Sequence, residues 1–166
     1  SPRRRACVDY YMSAPSPLRE EIYVAAGRGE LPKVVKWLLE GGHVDALFTR
    51  NDEHSRSRSM ALLHTAAAEG QLAVAKELLK RGATVDLPSN DGMTALMGAA
   101  AAGHEACAKA LLRANANTQL RAKKGCTALQ YAEHKGQKNI RELIRQHTAP
   151  SASPATSEPA AAALSS

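Results

Sequence analysis

Aromatic residues are scarce in this 166-residue chain, which has one Trp, one Phe and four Tyr. A core built around large rings is therefore not expected, and Ala and Leu must supply most of the packing between closely spaced helices. Long apolar segments are also missing, and none approaches the roughly 20 residues that a membrane-spanning helix needs. We therefore expect no membrane association and a core made mainly of small side chains.

Cysteine is limited to Cys7, Cys107 and Cys126, which show no metal-binding spacing and no even set for disulfides. A reducing intracellular setting, cytoplasmic or nuclear, is the simplest interpretation. The six His are unclustered, and the sequence has no paired carboxylates, phosphate-binding Gly loop or nucleophile motif. The sequence therefore predicts no metal, no cofactor and no catalytic residue, and it favours a protein that is not an enzyme.

The net charge of +6 is spread over segments in which cations and anions are mixed. A mildly basic body favours acidic partners through electrostatic steering. Nucleic acid is not favoured as a partner, because aromatic stacking groups are nearly absent.

The sequence does contain an internal repeat. The segments 63–85 and 96–118 align at a step of 33 residues, with a Leu, an Ala pair, a Gly and a Leu-Leu pair in register, and Leu129 and Gly136 continue the step. A period of this length predicts small helical units that bury their apolar faces only against one another. In the first unit, Val34, Val35, Trp37, Leu38 and Leu39 are predicted to form the buried side of the second helix.

The repeat divides the chain into four units at about 18–47, 60–88, 89–121 and 122–148. Residues 1–17 are interpreted as a flexible lead-in, and 149–166 as a disordered Ala/Ser/Pro-rich tail. The step from Ala25 to Ala66 is 41 residues, and the surplus, 49–59, is polar and lacks a period. We interpret this insertion as an extended, mobile loop. Phosphorylation of Ser55, Ser57 or Ser59 beside Arg is one hypothesis, and an unregulated soluble loop is the other.

Several motifs recur in register and resemble the ankyrin repeat. Residues 91–96 (DGMTAL) and 125–129 (GCTAL) stand where that family has D-G-x-T-P-L-H, and Gly103-His104 matches its later Gly-His. Departures are Ala95 and Ala128 in place of Pro, and Met60-Ala61-Leu62 where the second unit should have Thr-Pro. The resemblance implies an all-α solenoid of stacked antiparallel helix pairs with β-hairpin-like turns, whose first and last units act as caps.

The resemblance also implies partner-contacting positions on the concave side, in the turns and just before the inter-helix Gly. Carried onto this chain, these positions include Ala68, Ala101, Ala102 and Cys126. The residues predicted to bind a partner are Arg28, Glu69, Asn90, Asp91, Met93, Arg121, Lys123, Lys124, His134 and Lys135. The cations make the fourth-unit end basic, so we expect an acidic peptide or protein surface to dock there. The alternative is a solvated basic rim without a dedicated partner. In the family, the residues equivalent to His64 and His104 are structural.

Two functional hypotheses follow. The first is a non-catalytic protein–protein interaction module or adaptor, acting as a monomer and binding another protein on the concave face. The second is a regulatory or targeting region of a larger enzyme or channel whose catalytic part lies outside this chain. The chain starts with Ser rather than Met, which is compatible with a fragment.

Overall fold

The structure is a computed structural model that describes residues 20–51 and 57–148, so the predictions for 1–17 and 149–166 lie outside the described residues. The described residues form four pairs of short helices: α1 Glu20–Arg28 and α2 Leu31–Leu39, α3 Leu62–Ala68 and α4 Leu72–Lys80, α5 Ala95–Ala102 and α6 Glu105–Arg113, and α7 Ala128–His134 and α8 Lys138–Thr148.

The helix pairs stack into two layers. The first helices α1, α3, α5 and α7 pack in succession in one layer, and the second helices α2, α4, α6 and α8 pack in succession in the other. Each pair contacts its neighbours in the sequence, as expected for a repeat in which no unit has a core of its own. The predicted all-α solenoid is confirmed.

Small residues form much of the core, as the lack of aromatic residues predicts. Ala66 and Ala99 are completely buried in α3 and α5, and Leu78 and Leu111 are completely buried in α4 and α6. Leu39 is an exception, because it was predicted to be buried and is 72% exposed. It lies five residues after the buried Val34, which places it about 140° around the helix from that side chain.

The tight turn inside each of the first three pairs depends on a glycine for two reasons. Gly70 has φ +75°, a left-handed conformation that residues with a β-carbon rarely adopt. In addition, a β-carbon at Gly70 would lie 2.5 Å from Nδ1 of His104 in the next unit. Gln137 occupies the same slot against Gly103, and Gln71 occupies it against Gly29. Consecutive units therefore interlock at this slot, where Nε2 of Gln71 also donates to the carbonyl of Gly27 at 3.0 Å.

The described part of the insertion forms a two-stranded antiparallel hairpin rather than the extended, mobile loop predicted for 49–59. Strands β1 (Leu47–Asn51) and β2 (Ser57–Ala61) pair antiparallel, with Phe48 opposite Met60. The Phe48 ring stacks on Tyr23 of α1 at a centroid distance of 4.6 Å, and Oη of Tyr23 donates to Sδ of Met60 at 3.7 Å. These contacts with α1 hold the hairpin against the helices. Residues 52–56 lie outside the described part of the chain.

In the part of the chain that the structure describes, no helix has the length and apolar character needed to cross a bilayer.

Candidate protein-binding groove

A groove of about 370 Å³ lies between the first-helix layer and the inter-unit turns, and we call it the inner groove. Its wall is formed by β2 and the turn 89–93, and its floor by α3 and α5. The lining residues are Arg58, Met60, His64, Ala68, Ser89, Asp91, Met93, Thr94, Gly98, Ala101, Ala102 and Lys135.

Hydrogen bonds join the turns of successive units edge to edge and make the wall continuous. The backbone N–H of Ser59 donates to Oδ1 of Asn90 at 3.1 Å, and the N–H of Asn90 donates to the carbonyl of Ser59 at 3.4 Å. The N–H of Lys123 then donates to the carbonyl of Asp91 at 3.0 Å. Strand β2 and the turns of the third and fourth units therefore form one ordered rim.

His64 links the wall of the inner groove to its floor through two hydrogen bonds. Its Nδ1 accepts from the N–H of Ala61 at 3.1 Å, which leaves the proton on Nε2 to donate to the carbonyl of Met93 at 3.0 Å. Burial lowers the pKa of the His64 ring, against the opposing effect of these backbone hydrogen bonds. Both ring nitrogens of the neutral imidazole are engaged, so the structural role expected for His64 is confirmed.

The floor of the inner groove consists of small side chains. Ala68, Gly98, Ala101 and Ala102 line it, and a β-carbon at Gly98 would be only 3.6 Å from Cβ of Ala68. A partner's main chain could approach this floor closely. The half-buried Met60 and Met93 flank it and supply flexible apolar surface that adapts to the shape of an inserted side chain.

The two ends of the inner groove differ in charge. At one end, Nε of Arg58 lies 3.7 Å from Oδ2 of Asp91, and these exposed groups partly neutralise each other. At the fourth-unit end, Lys135 is exposed and forms no salt bridge with any described residue. Lys123 and Lys124 in the adjacent turn are also exposed and unpaired within the described residues. The groove therefore becomes more positive toward the fourth unit.

Comparison with known families identifies the repeat that forms this stack. A family model for ankyrin repeats matches in three copies, with matches spanning residues 22–122 and 63–153. The chain belongs to the ankyrin repeat family. Ankyrin repeats are generally protein–protein interaction modules and are typically non-catalytic. No curated protein matches the chain.

The structure brings three of the ten predicted contact residues together in the inner groove of this ankyrin stack: Asp91, Met93 and Lys135. Four more lie exposed next to the groove at the fourth unit: Arg121, Lys123, Lys124 and His134. Nη1 of Arg121 donates to the carbonyl of Gly125 at 3.3 Å, within the same turn.

The remaining three predicted residues have other positions. Arg28 and Glu69 are exposed at the carboxyl ends of α1 and α3, and neither lines the inner groove. Asn90 is exposed, but its side-chain oxygen holds the N–H of Ser59. The geometry therefore assigns Asn90 a part in building the wall.

Arg58 and Met60 line the groove, and neither is among the predicted contact residues. Arg58 falls in the insertion predicted to be a loop, and Met60 opens the second unit, whose turn motif departs from the family pattern. The repeat itself could have found them, since Asp91 and Met93 lie one 33-residue step after Arg58 and Met60. The surplus residues lengthen the inter-unit turn without changing the register of the segment that enters α3.

The other residues considered from the sequence fall outside the inner groove. Ser55 lies outside the described residues, and the hydroxyl of Ser59 on β2 lies 2.9 Å from Oγ1 of Thr49. Burial raises the pKa of the Cys107 thiol in α6, which agrees with its interpretation as a packing residue. Over the described ranges 20–51 and 57–148, no three His, Cys, Asp or Glu side chains cluster in a way that could hold a metal ion.

Proposed function

We propose that this chain is a non-catalytic interaction module that binds a segment of a partner protein in the inner groove. The groove itself is the observation that supports this proposal most directly. It combines a floor of Ala and Gly, two methionines and an ordered wall of hydrogen-bonded turns. Protein-binding sites commonly combine such an apolar centre with a polar rim.

The charges around the groove favour a partner segment with an apolar anchor followed by acidic residues. The anchor would lie between Met60 and Met93 on the Ala/Gly floor. The acidic residues would face Lys135, Lys123 and Lys124, which have no anionic neighbour paired with them in the described residues. Charge complementarity of this kind contributes mainly to the association rate and to the selection of partners.

The proposal is tested by capturing partners from a native lysate with the chain and three variants. Ala102→Trp places a large ring on the groove floor, and Lys123→Glu with Lys124→Glu reverses the charge at its basic end. Ala73→Trp is the matched control, because Ala73 is an exposed helical Ala outside the inner groove. We expect the first two variants to lose at least about 90% of a partner that the wild type and the control retain.

An unchanged set of captured proteins for Ala102→Trp would contradict binding in the inner groove. Capture lost equally by Ala102→Trp and Ala73→Trp would show that an added Trp disturbs the protein in general. Thermal unfolding of each variant, measured alongside, identifies any variant that has lost its fold.

A further inference from the structure

A second groove lies on the opposite layer, between the outer helices α4 and α6, and we call it the outer groove. Its volume is about 400 Å³, and half-buried Leu72 and Leu79 with Ala106, Ala110 and Ala114 supply its apolar surface. None of the predicted partner-contacting residues lies in it. Every charged residue that lines it is a cation, namely Lys76, Lys109 and Arg113.

Among the described residues, only one of these three cations, Lys109, is paired with an anion. Glu77 on α4 accepts from Nε of Arg81 at 2.7 Å. Glu105 on α6 pairs with Lys109 at 2.7 Å and accepts from Nδ2 of Asn139 at 3.0 Å. Lys76 and Arg113 form no salt bridge with any residue that the structure describes, so both remain available for an anionic partner.

Two of the repeat positions that line the outer groove are basic only in the two units that form it. Lys76 and Lys109 occupy the same slot of α4 and α6, and the corresponding residue of α8 is Glu142. The slot of Lys80 and Arg113 is occupied in α8 by Gln146 and in α2 by the exposed Leu39. At these two repeat positions, cations therefore occur only in the two units that form the outer groove.

We infer that the outer groove binds an acidic amphipathic segment of a partner protein, independently of the proposed function of the inner groove. Apolar side chains of that segment would pack on Leu72, Leu79 and the alanines, and its carboxylates would face Lys76 and Arg113. A helical segment with apolar residues at i, i+3 and i+4 supplies both features along one groove. A protein partner fits better than nucleic acid, because the residues that line the outer groove offer aliphatic contacts and no aromatic ring on which a base could stack.

The experiment uses a fluorescein-labelled acidic amphipathic peptide, built from Glu and Leu at helical spacing, and the full chain. Binding is followed by fluorescence anisotropy, and its location is mapped by amide chemical shifts in NMR spectra. We expect the largest shifts in α4 and α6. The double variant Lys76→Glu with Arg113→Glu should weaken binding at least about tenfold, because it reverses the charge in the outer groove.

The matched control is Lys36→Glu with Lys138→Glu, which makes the same change in net charge at exposed positions that line neither groove. Equal loss of affinity in both double variants would show general electrostatic attraction and overturn the inference. Chemical shift changes confined to α3 and α5, with the affinity kept by Lys76→Glu with Arg113→Glu, would also overturn it while leaving the proposed function intact. Binding of polyuridine RNA or of phosphatidylserine vesicles through Lys76 and Arg113, without binding of the peptide, would replace the protein partner by another class.

Discussion

Neighbouring units touch where the inter-helix glycine of one unit meets the residue that follows the equivalent glycine in the next unit. Gly70 combines a positive φ with a close neighbour, His104, whereas Gly82 has a positive φ and open space where a β-carbon would lie. Comparing these two glycines therefore separates two requirements for glycine: a backbone with positive φ, and a lack of space for a β-carbon. The first requirement applies to any L-residue in this conformation, and the second applies only where units meet.

We expect Gly70→Ala to destabilise the protein more than Gly82→Ala. Both variants carry the cost of a left-handed Ala, about 1–2 kcal/mol. Gly70→Ala also forces the His104 ring aside, which adds about 1–3 kcal/mol as in other overpacked sites. The free energy of unfolding in urea measures the difference, and equal losses for the two variants would mean that the ring moves away at no cost.

His64 makes stability depend on pH in a defined direction. Burial holds its pKa in the folded state below the ordinary value near 6.5, while the unfolded chain has that ordinary value. As the pH falls below about 6.5, the unfolded state gains the proton first, and the folded state loses stability relative to it. Above that pH both states are neutral at this ring, and its contribution is complete.

The variant His64→Gln tests this pH dependence. Gln130 fills the equivalent slot of the fourth unit, where its Oε1 accepts from the N–H of Thr127 at 2.9 Å, so a Gln is compatible with the local geometry. We expect the wild type to lose more unfolding free energy between pH 7 and pH 5 than His64→Gln does, in urea titrations at each pH. A wild-type slope that persists in the variant would assign the effect to other groups.

At the scale of the elements, the helices are predictable from the sequence and the insertion hairpin is not. The Gly and the Leu-Leu pair recur at 33 residues and mark where each helix pair turns and where its outer helix packs. Strands β1 and β2 are mostly polar, so their alternation is weak. Their position depends on the contact of Phe48 and Met60 with Tyr23, which is distant in the sequence.

The outer helices carry several of the largest buried side chains, and each of these should contribute strongly to stability. Leu78 and Leu111 are completely buried, so we expect Leu78→Ala or Leu111→Ala to cost about 2–5 kcal/mol of unfolding free energy. Leu39→Ala is the matched control, because Leu39 is 72% exposed and its truncation should cost less than about 0.5 kcal/mol. A small loss at Leu78 would contradict the packing described for α4.

At the scale of the whole molecule, the order of the units decides which surfaces are covered. Ile140 and Ile144 of α8 are buried, and α6 packs against α8 on one side and α4 on the other. Removing the fourth unit would expose one side of α6. The sequence predicts the stack and its basic end. It does not predict the outer groove as a binding surface for an acidic segment, because the structure is needed to show which acidic side chains are already paired and which cations are left without one.

The predicted domain limits can be tested by truncation. We expect a fragment of residues 18–148 to unfold at the same urea midpoint as the full chain, because the described core lies within it. A fragment of residues 18–121 should unfold at a clearly lower midpoint, because the stacking contacts of α5 with α7 and of α6 with α8 are lost. A lower midpoint for 18–148 would place stabilising residues outside the predicted limits.

The slot occupied by Gln71, His104 and Gln137 has a consequence for the shape of the solenoid. Each of these side chains fills the space beside a glycine of the preceding unit and so acts as a spacer along one edge of the stack. A bulkier spacer would widen that edge and tilt successive units further apart, and a smaller one would let them close together. The spacing of successive units along this edge therefore depends on three side chains that line neither groove.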